Sequence, residues 1–223
     1  MSADRRHKMI FPDPRKADND YIAVSRTLNC AMLQEAYARG IFPWPYEEES
    51  ILWASPRQRG ILMLDEFHIP RSLRKDMKKF PFTFRINTAF ERVIRNCAEQ
   101  PRPDQDGTWI TSKIIRTYCE FHRQKMAHSF EAYLPDGTLA GGLYGIVCGR
   151  IFCGESMFYH VSGASKYVLV KTVELLKERG FVLLDTQMVT ETTKSFGAKE
   201  IPCAGYFKLL DQYGAAVTPY DWN

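Results

Sequence analysis

No stretch of this 223-residue chain approaches the roughly 20 consecutive apolar residues that a membrane-spanning helix needs. Its opening residues, MSADRRHKMIFPDPRK, hold neither an apolar core nor a cleavage site, so no secretory leader is expected and the cytosol is. The six cysteines (Cys30, Cys97, Cys119, Cys148, Cys153, Cys203) form no CxxC pair, and reduced cytosolic thiols imply no disulfide framework. Only Cys148 and Cys153 come near one another. They flank a Gly-Arg turn between apolar strands and read as buried thiols, so no metal site is expected. The five histidines make no spaced ligand set. GxGxxG, P-loop, GxSxG and HExxH motifs are all absent, which removes the usual support for nucleotide hydrolysis, triad hydrolysis and zinc proteolysis.

What is present is ordinary globular composition, 45% hydrophobic and 25% charged, enough for one large domain or two small ones. Net charge is only +4 but unevenly placed. Between Phe67 and Arg95, Arg71, Arg74, Lys75, Lys78, Lys79, Arg85, Arg92 and Arg95 face only Asp76 and Glu91, which makes the segment +6 and the remainder −2. Localised positive charge is the footprint of a polyanion, phosphate above all; a solvated basic helix face is the plainer alternative.

Residues 1–66 are proline-rich and irregular, with one convincing helix, TLNCAMLQEAYARG, striped by Leu28, Met32, Leu33 and Tyr37 and stopped at Gly40. This segment is expected as a small N-terminal domain lying against a larger one, 67–223. In the larger one, IPRSLRKDMKKF reads as a short basic helix, FTFRIN as a strand, and NTAFERVIRNCAEQ as a helix. After the polar loop PRPDQDG comes the helix TWITSKIIRTYCEFHRQK, with Ile114, Ile115, Tyr118, Phe121 and His122 on one face. Three strands joined by PDG and GR turns follow as hairpins. A long helix capped by Ser162 and stopped by Gly180 leads to the strand FVLLDTQMV, a short helix TETTKSFGA, and a last strand YFKLL. The order predicts an α+β layer architecture like that of the acyl-CoA N-acetyltransferases.

One strand, IFCGESMFYH, carries a carboxylate at its centre. An ionised Glu155 among Phe152, Met157 and Phe158 is costly unless something pairs with it. Strand alternation puts Cys153, Glu155 and Met157 on one face, and Asp185 and Gln187 together on another strand. A carboxylate and an amide at a strand end suit the holding of an amine; an Asp bonding loop amides is the alternative. An acid beside a thioether suits a pocket that grips an amine next to an apolar side chain. Trp44, Trp53 and Trp109 lie in loops and are either stacking platforms for a base or core residues.

AYARGIFPWP, ILWASP, HIPRSLRK, GTWIT, GGLYG, FCGESMF, ASK, DTQ and SFGAKEIP occur in the order expected of leucyl/phenylalanyl-tRNA–protein transferases, and the resemblance runs from about Leu28 to Leu210. It implies an enzyme that moves Leu or Phe, with Met as a further donor, from charged tRNA to the α-amine of proteins beginning with Arg or Lys, marking them for degradation. By the same resemblance Glu155, Asp185 and Gln187 form the reaction centre, and Trp53 and Trp109 hold the terminal adenosine. Leu143, Phe152, Met157, Leu169, Thr172, Leu176 and Leu184 line the side-chain pocket. Arg71, Arg74, Lys75, Lys78 and Lys79 are the expected contacts to the tRNA backbone. An aminoacyl ester is already activated, so no cofactor, ATP or metal is expected, and the chain is expected to act as a monomer. Phe152 falls on the wrong face from Glu155 unless Gly154 permits a bulge. AVSRTLN stands where Gly-Gly-Asp-Leu is usual, WASP where WWSP is, and Thr172 and Leu176 where Phe is. The rivals are an acyl-CoA-dependent N-acetyltransferase, for which VSGASK is a partial phosphate-cradling turn, and a non-catalytic tRNA-binding module.

Overall fold

The computed structural model describes residues 10–47, 50–101 and 108–222, so most of the expected loop PRPDQDG lies outside it. A short 3-10 helix (Pro14–Lys16) and β1 (Tyr21–Ser25) precede α1 (Cys30–Ala38). Asn29 caps α1 by accepting from the Met32 N–H, and Gly40 ends it in the left-handed region at φ 73°. Where irregular chain was expected, β2 (Phe42–Glu47) and β3 (Ser50–Ala54) join β1 in a sheet of order β1-β3-β2. Pro43 and Pro45 broke the strand pattern in the sequence. They sit in β2, an edge strand, where a missing N–H costs little.

The remaining elements are β4 (Gln58–Met63), α2 (Arg71–Met77), β5 (Thr83–Ile86), α3 (Phe90–Glu99), α4 (Ser112–Arg123), β6 (Ala127–Tyr133), β7 (Leu139–Cys148), β8 (Ile151–Tyr159), α5 (Ala164–Glu178), β9 (Leu183–Gln187), α6 (Glu191–Ser195), β10 (Lys199–Pro202) and α7 (Cys203–Tyr213). Seven strands form the second sheet, in the order β10-β4-β9-β8-β7-β6-β5. All neighbours are antiparallel except β8 and β9. The α+β class and the order of helix, meander, long helix and strand are as expected, and the structure adds that this strand, β9, runs parallel to β8.

Three details differ. β4, in the segment expected to be irregular, is a strand of the larger sheet, so sheet membership changes between Ala54 and Gln58. YFKLL lies in a helix, because its apolar residues continue a helical stripe: Cys203, Tyr206, Phe207 and Leu210 of α7 are all buried. The residue before α5 is not Ser162 but Gly163, at φ 85° and with no side-chain cap.

Two apolar clusters cover opposite faces of the larger sheet. α5 packs Tyr167, Val168, Leu169, Val173 and Leu176 over one face, joined by Leu73 of α2 and by Trp222. α1, α3, α4 and α7 cover the other, with Leu33, Val93, Ile114 and Phe207. Along β8, Ile151, Cys153 and Phe158 belong to the second cluster, whereas Phe152 and Met157 pack with the first. This parity change has a visible cause. Tyr144 pairs with Ser156 and Gly145 with Gly154, leaving Glu155 as an extra, unpaired residue. Glu155 is therefore the residue of a β-bulge. The expected common face for Cys153, Glu155 and Met157 is thereby corrected, and Phe152 and Met157 share a face instead.

The bulge needs its glycine partner. A Cβ on Gly145 would lie 2.2 Å from the Cys153 carbonyl oxygen and 2.5 Å from the Phe152 ring. Gly145→Ala is expected to destabilise by roughly 1–3 kcal/mol, the usual cost of overpacking. Urea unfolding should show a lowered midpoint at an unchanged m-value; an unchanged midpoint would refute this account of the bulge.

Candidate active site

β8 and β9 pair from Ile151–Leu183 to Cys153–Asp185, and there the pairing stops. Both strands run on, so a gap opens between them. Glu155 and Gln187 bridge that gap, Gln187 Nε2 donating to Glu155 Oε1 at 2.7 Å. The other carboxylate oxygen accepts from the Tyr118 hydroxyl at 3.2 Å, and the Tyr118 and Tyr37 hydroxyls bond each other at 2.5 Å. Burial pushes the Glu155 carboxyl up to about 7, against the opposing effect of hydrogen bonds from Tyr37, Gln187 and Tyr118; the Asp185 charge pushes the same way as burial. Glu155 nevertheless keeps part of its surface open to solvent. A partly open acid that changes charge near neutrality can take a proton or pair with a cation.

Asp185 is placed differently. It is fully buried, and Arg59 grips it with two bonds, Nε to Oδ1 at 2.8 Å and Nη2 to Oδ2 at 2.6 Å. The Tyr206 hydroxyl donates to Oδ2 at 2.8 Å, and the Gln187 backbone N–H to Oδ1 at 3.0 Å. Arg59 is itself buried, its guanidinium 4.7 Å from the Phe42 ring centre and 4.4 Å from that of Tyr206. Burial alone would lower the Arg59 pKa, but the charge and hydrogen bonds of Asp185 raise it overall. A carboxylate so occupied has no lone pair facing the gap.

The expected pocket residues come together. Leu143, Phe152, Leu169, Leu176 and Leu184 share one buried cluster, with Met157 packed at its edge. Thr172 lies on the same helix as Leu169 and Leu176, fully buried, its hydroxyl without a hydrogen-bond partner. The two tryptophans part company. Trp53 is fully buried, packed on Phe11 at 4.5 Å and donating to Ser25 Oγ, so a base cannot stack on it in this conformation. Trp109 is partly exposed and lies parallel to Trp44 with centroids 6.1 Å apart. Arg71, Arg74, Lys75, Lys78 and Lys79 are all exposed on and just after α2, whose Leu73 anchors it in the pocket-side cluster.

Arg59, Tyr206, Tyr37 and Tyr118 were not anticipated as site residues. Tyr37 and Tyr118 sit on apolar helical stripes, where a sequence shows a core residue and not the direction of its hydroxyl. Arg59 left one trace, a charge opening the apolar run GILML. Among the described residues, no cluster of three or more His, Cys, Asp or Glu could share a metal ion. No described helix is long and apolar enough to cross a membrane.

The model of the family described as leucyl/phenylalanyl-tRNA protein transferase matches residues 61–211, and the model of that family's N-terminal domain matches residues 26–57. Proteins named leucyl/phenylalanyl-tRNA–protein transferase are similar to this chain. That of Anaeromyxobacter dehalogenans is 46% identical, covering 90% of this chain and 86% of its own. That of Sulfurimonas denitrificans is 42% identical over 98% and 95%, and that of Myxococcus xanthus 45% over 92% and 87%. Among solved structures, FemX aligns with a TM-score of 0.49 at 13% identity, over 81% of this chain and 71% of its own.

Because burial raises the Glu155 pKa to about 7 from an ordinary 4.5, the folded state holds a proton that the unfolded chain releases earlier. The stability associated with that proton is complete below pH 4.5 and is lost as pH rises to about 7. Glu155→Gln should flatten this decline by on the order of 1–3 kcal/mol. Thermal unfolding from pH 4.5 to 8 measures it; parallel curves for parent and variant would contradict the assignment.

Proposed function

The chain belongs to the leucyl/phenylalanyl-tRNA protein transferase family and is an aminoacyltransferase; we propose that it moves Leu or Phe, and Met as a further donor, from charged tRNA to the α-amine of proteins beginning with Arg or Lys. The product would carry a degradation signal, and the cytosol, where charged tRNA is made, is the compartment. The observation that carries this reading is the bulged Glu155. It stands where the apolar cluster beneath α5 meets the polar network of Tyr37, Tyr118 and Gln187. One end of that junction suits an uncharged aminoacyl side chain and the other an amine.

The chemistry is a substitution at an ester. The acceptor amine nitrogen bonds to the carbonyl carbon, the bond from that carbon to the ribose oxygen breaks, and a proton passes from nitrogen to the departing oxygen. Bringing amine and ester together can supply roughly 7–11 kcal/mol of the barrier. Glu155 is the group that meets the amine, paired with its cationic form or taking its proton as the bond forms. Gln187 orients that carboxylate, and proton acceptance falls to Glu155 and not to Asp185, because Asp185 is buried and its oxygens are taken by Arg59, Tyr206 and the Gln187 N–H. Leu143, Phe152, Met157, Leu169, Thr172, Leu176 and Leu184 form the side-chain pocket, with Thr172 and Leu176 making it roomier than two phenylalanines would. Trp109, backed by Trp44, receives the terminal adenosine, and Trp53 supports the small sheet.

Transfer from radiolabelled Leu-tRNA to peptides beginning with Arg, Lys, Asp or Met tests this directly. Arg and Lys peptides should be labelled, and acetyl-CoA should neither be needed nor consumed. Glu155→Gln should lower single-turnover transfer by about 10²–10⁴-fold, the range for a positioned acid–base group. Acetyl transfer in place of leucyl transfer would replace this reading by the N-acetyltransferase one.

The five cations around α2 lie on the pocket side of the sheet, which supports contact with the tRNA backbone. Lys75→Glu with Lys78→Glu should raise the KM for charged tRNA and reduce the salt slope by roughly 1 for each phosphate no longer neutralised. Turnover at saturation should hold. An unchanged salt slope would remove α2 from the interface.

A further inference from the structure

Gln187 occupies a backbone conformation that L-residues avoid, with φ 56°. The Met188 N–H bonds back to the Thr186 carbonyl oxygen at 2.5 Å, closing a γ-turn with Gln187 at its centre. Turns of this hand are rare and strained. Strain of this kind persists only where surrounding structure over-determines it. Two adjacent residues of β4 provide that constraint. Arg59 grips Asp185, whose Oδ1 accepts the Gln187 N–H at 3.0 Å. Gly60, paired with Gln187, leaves room for the turn: a Cβ there would lie 2.5 Å from the Met188 carbonyl carbon and 2.8 Å from its Cα.

We propose that Arg59 and Gly60 are positioning residues, which hold Gln187 in its strained turn through Asp185 so that its amide fixes the Glu155 carboxylate. Asp185 then contributes its hydrogen bond to the turn and not a proton transfer. The site's reactive carboxylate is thereby set by a device lying wholly behind it. This rests on the aminoacyl-transfer reading only for its effect on turnover; the effect on Glu155 can be read in the free protein. The titratable groups facing Glu155 are Tyr37 from α1, Tyr118 from α4, Asp185 from β9 and Cys153 from its own strand.

Two double variants separate charge from geometry. Arg59→Gln with Asp185→Asn keeps an oxygen to accept the Gln187 N–H, whereas Arg59→Met with Asp185→Leu keeps only bulk. Both remove the same charges, and replacing a buried pair by matched neutral groups often preserves folding. Glu155 titration, followed by carboxyl ¹³C NMR without tRNA, should have a higher midpoint in the apolar pair than in the polar pair, because the Gln187 bond that lowers it is lost. Single-turnover transfer should stay within about tenfold of the parent for the polar pair, the cost of exchanging charge-assisted for neutral bonds. For the apolar pair it should fall by about 10²-fold, as for a misplaced group, with the KM for tRNA unchanged. Equal Glu155 midpoints, or an inactive polar pair that unfolds at the parent's temperature, would overturn the proposal. Gly60→Ala leaves the ion pair intact and provides an independent check. Its Cβ must displace the turn, so the Glu155 midpoint should rise and turnover drop; no change in either would equally overturn it. If the parent itself fails to transfer leucine while the midpoint difference persists, the function fails and the positioning stands.

Discussion

The buried ion pair of Arg59 and Asp185 joins parts of the molecule that are far apart in sequence. Arg59 comes from β4 and Asp185 from β9. Tyr206 of α7 donates to the same carboxylate, the Gly40 carbonyl oxygen beyond α1 accepts from Arg59 Nη1, and Phe42 of β2 packs on the guanidinium. The small N-terminal sheet is thus tied to the larger one at the site. Two charges removed from water cost several kcal/mol each, and mutual attraction repays this only with good geometry and every remaining donor matched. On the carboxylate that condition is met by a two-toothed contact, a hydroxyl and a backbone N–H. The same saturation keeps both oxygens of Asp185 engaged with Arg59, Tyr206 and the Gln187 N–H.

Glu155 depends on a second constraint, the bulge opposite Gly145. Without the extra residue, alternation would send Glu155 to the face opposite Phe152, away from the apolar cluster that Phe152 and Met157 share. With it, the carboxylate stands between the two faces of the sheet, at the point where β8 and β9 cease to pair. Bulges re-aim side chains next to active sites, and here the re-aimed group, unlike the buried Asp185, remains partly open to solvent. Burial then raises its pKa toward neutrality, which suits an acid that must both hold and release a proton or a cation near pH 7.

The two faces of the sheet divide the work. Beneath α5 the cluster is largely apolar, with the Thr172 hydroxyl and the Trp222 indole N–H among its few buried polar groups, and this face also presents the cationic α2. On the other face two tyrosines from α1 and α4 place their hydroxyls at Glu155, so the N-terminal unit contributes to the site through Tyr37. A single gap in the sheet lets the two environments meet.

Much of this was legible in the chain itself. The α1 stripe with its Gly40 stop, the meander with its PDG and GR turns, the long helix and the buried strand LLDTQ all follow from local periodicity and turn chemistry, which depend on neighbours in sequence. The family motifs identified Glu155, Asp185 and Gln187 together, and the basic cluster followed from counting charge. What sequence could not supply were relations between distant segments. The edge position that tolerates Pro43 and Pro45, the burial of Trp53 and the helical state of YFKLL are decided by what each packs against. So is the partner of Asp185: alternation placed Asp185 beside Gln187, but only the pairing of β4 with β9 brought Arg59 onto it. A hydrogen bond between residues 126 positions apart leaves no local periodicity to read, and so the partner of Asp185 was decided by the tertiary structure alone.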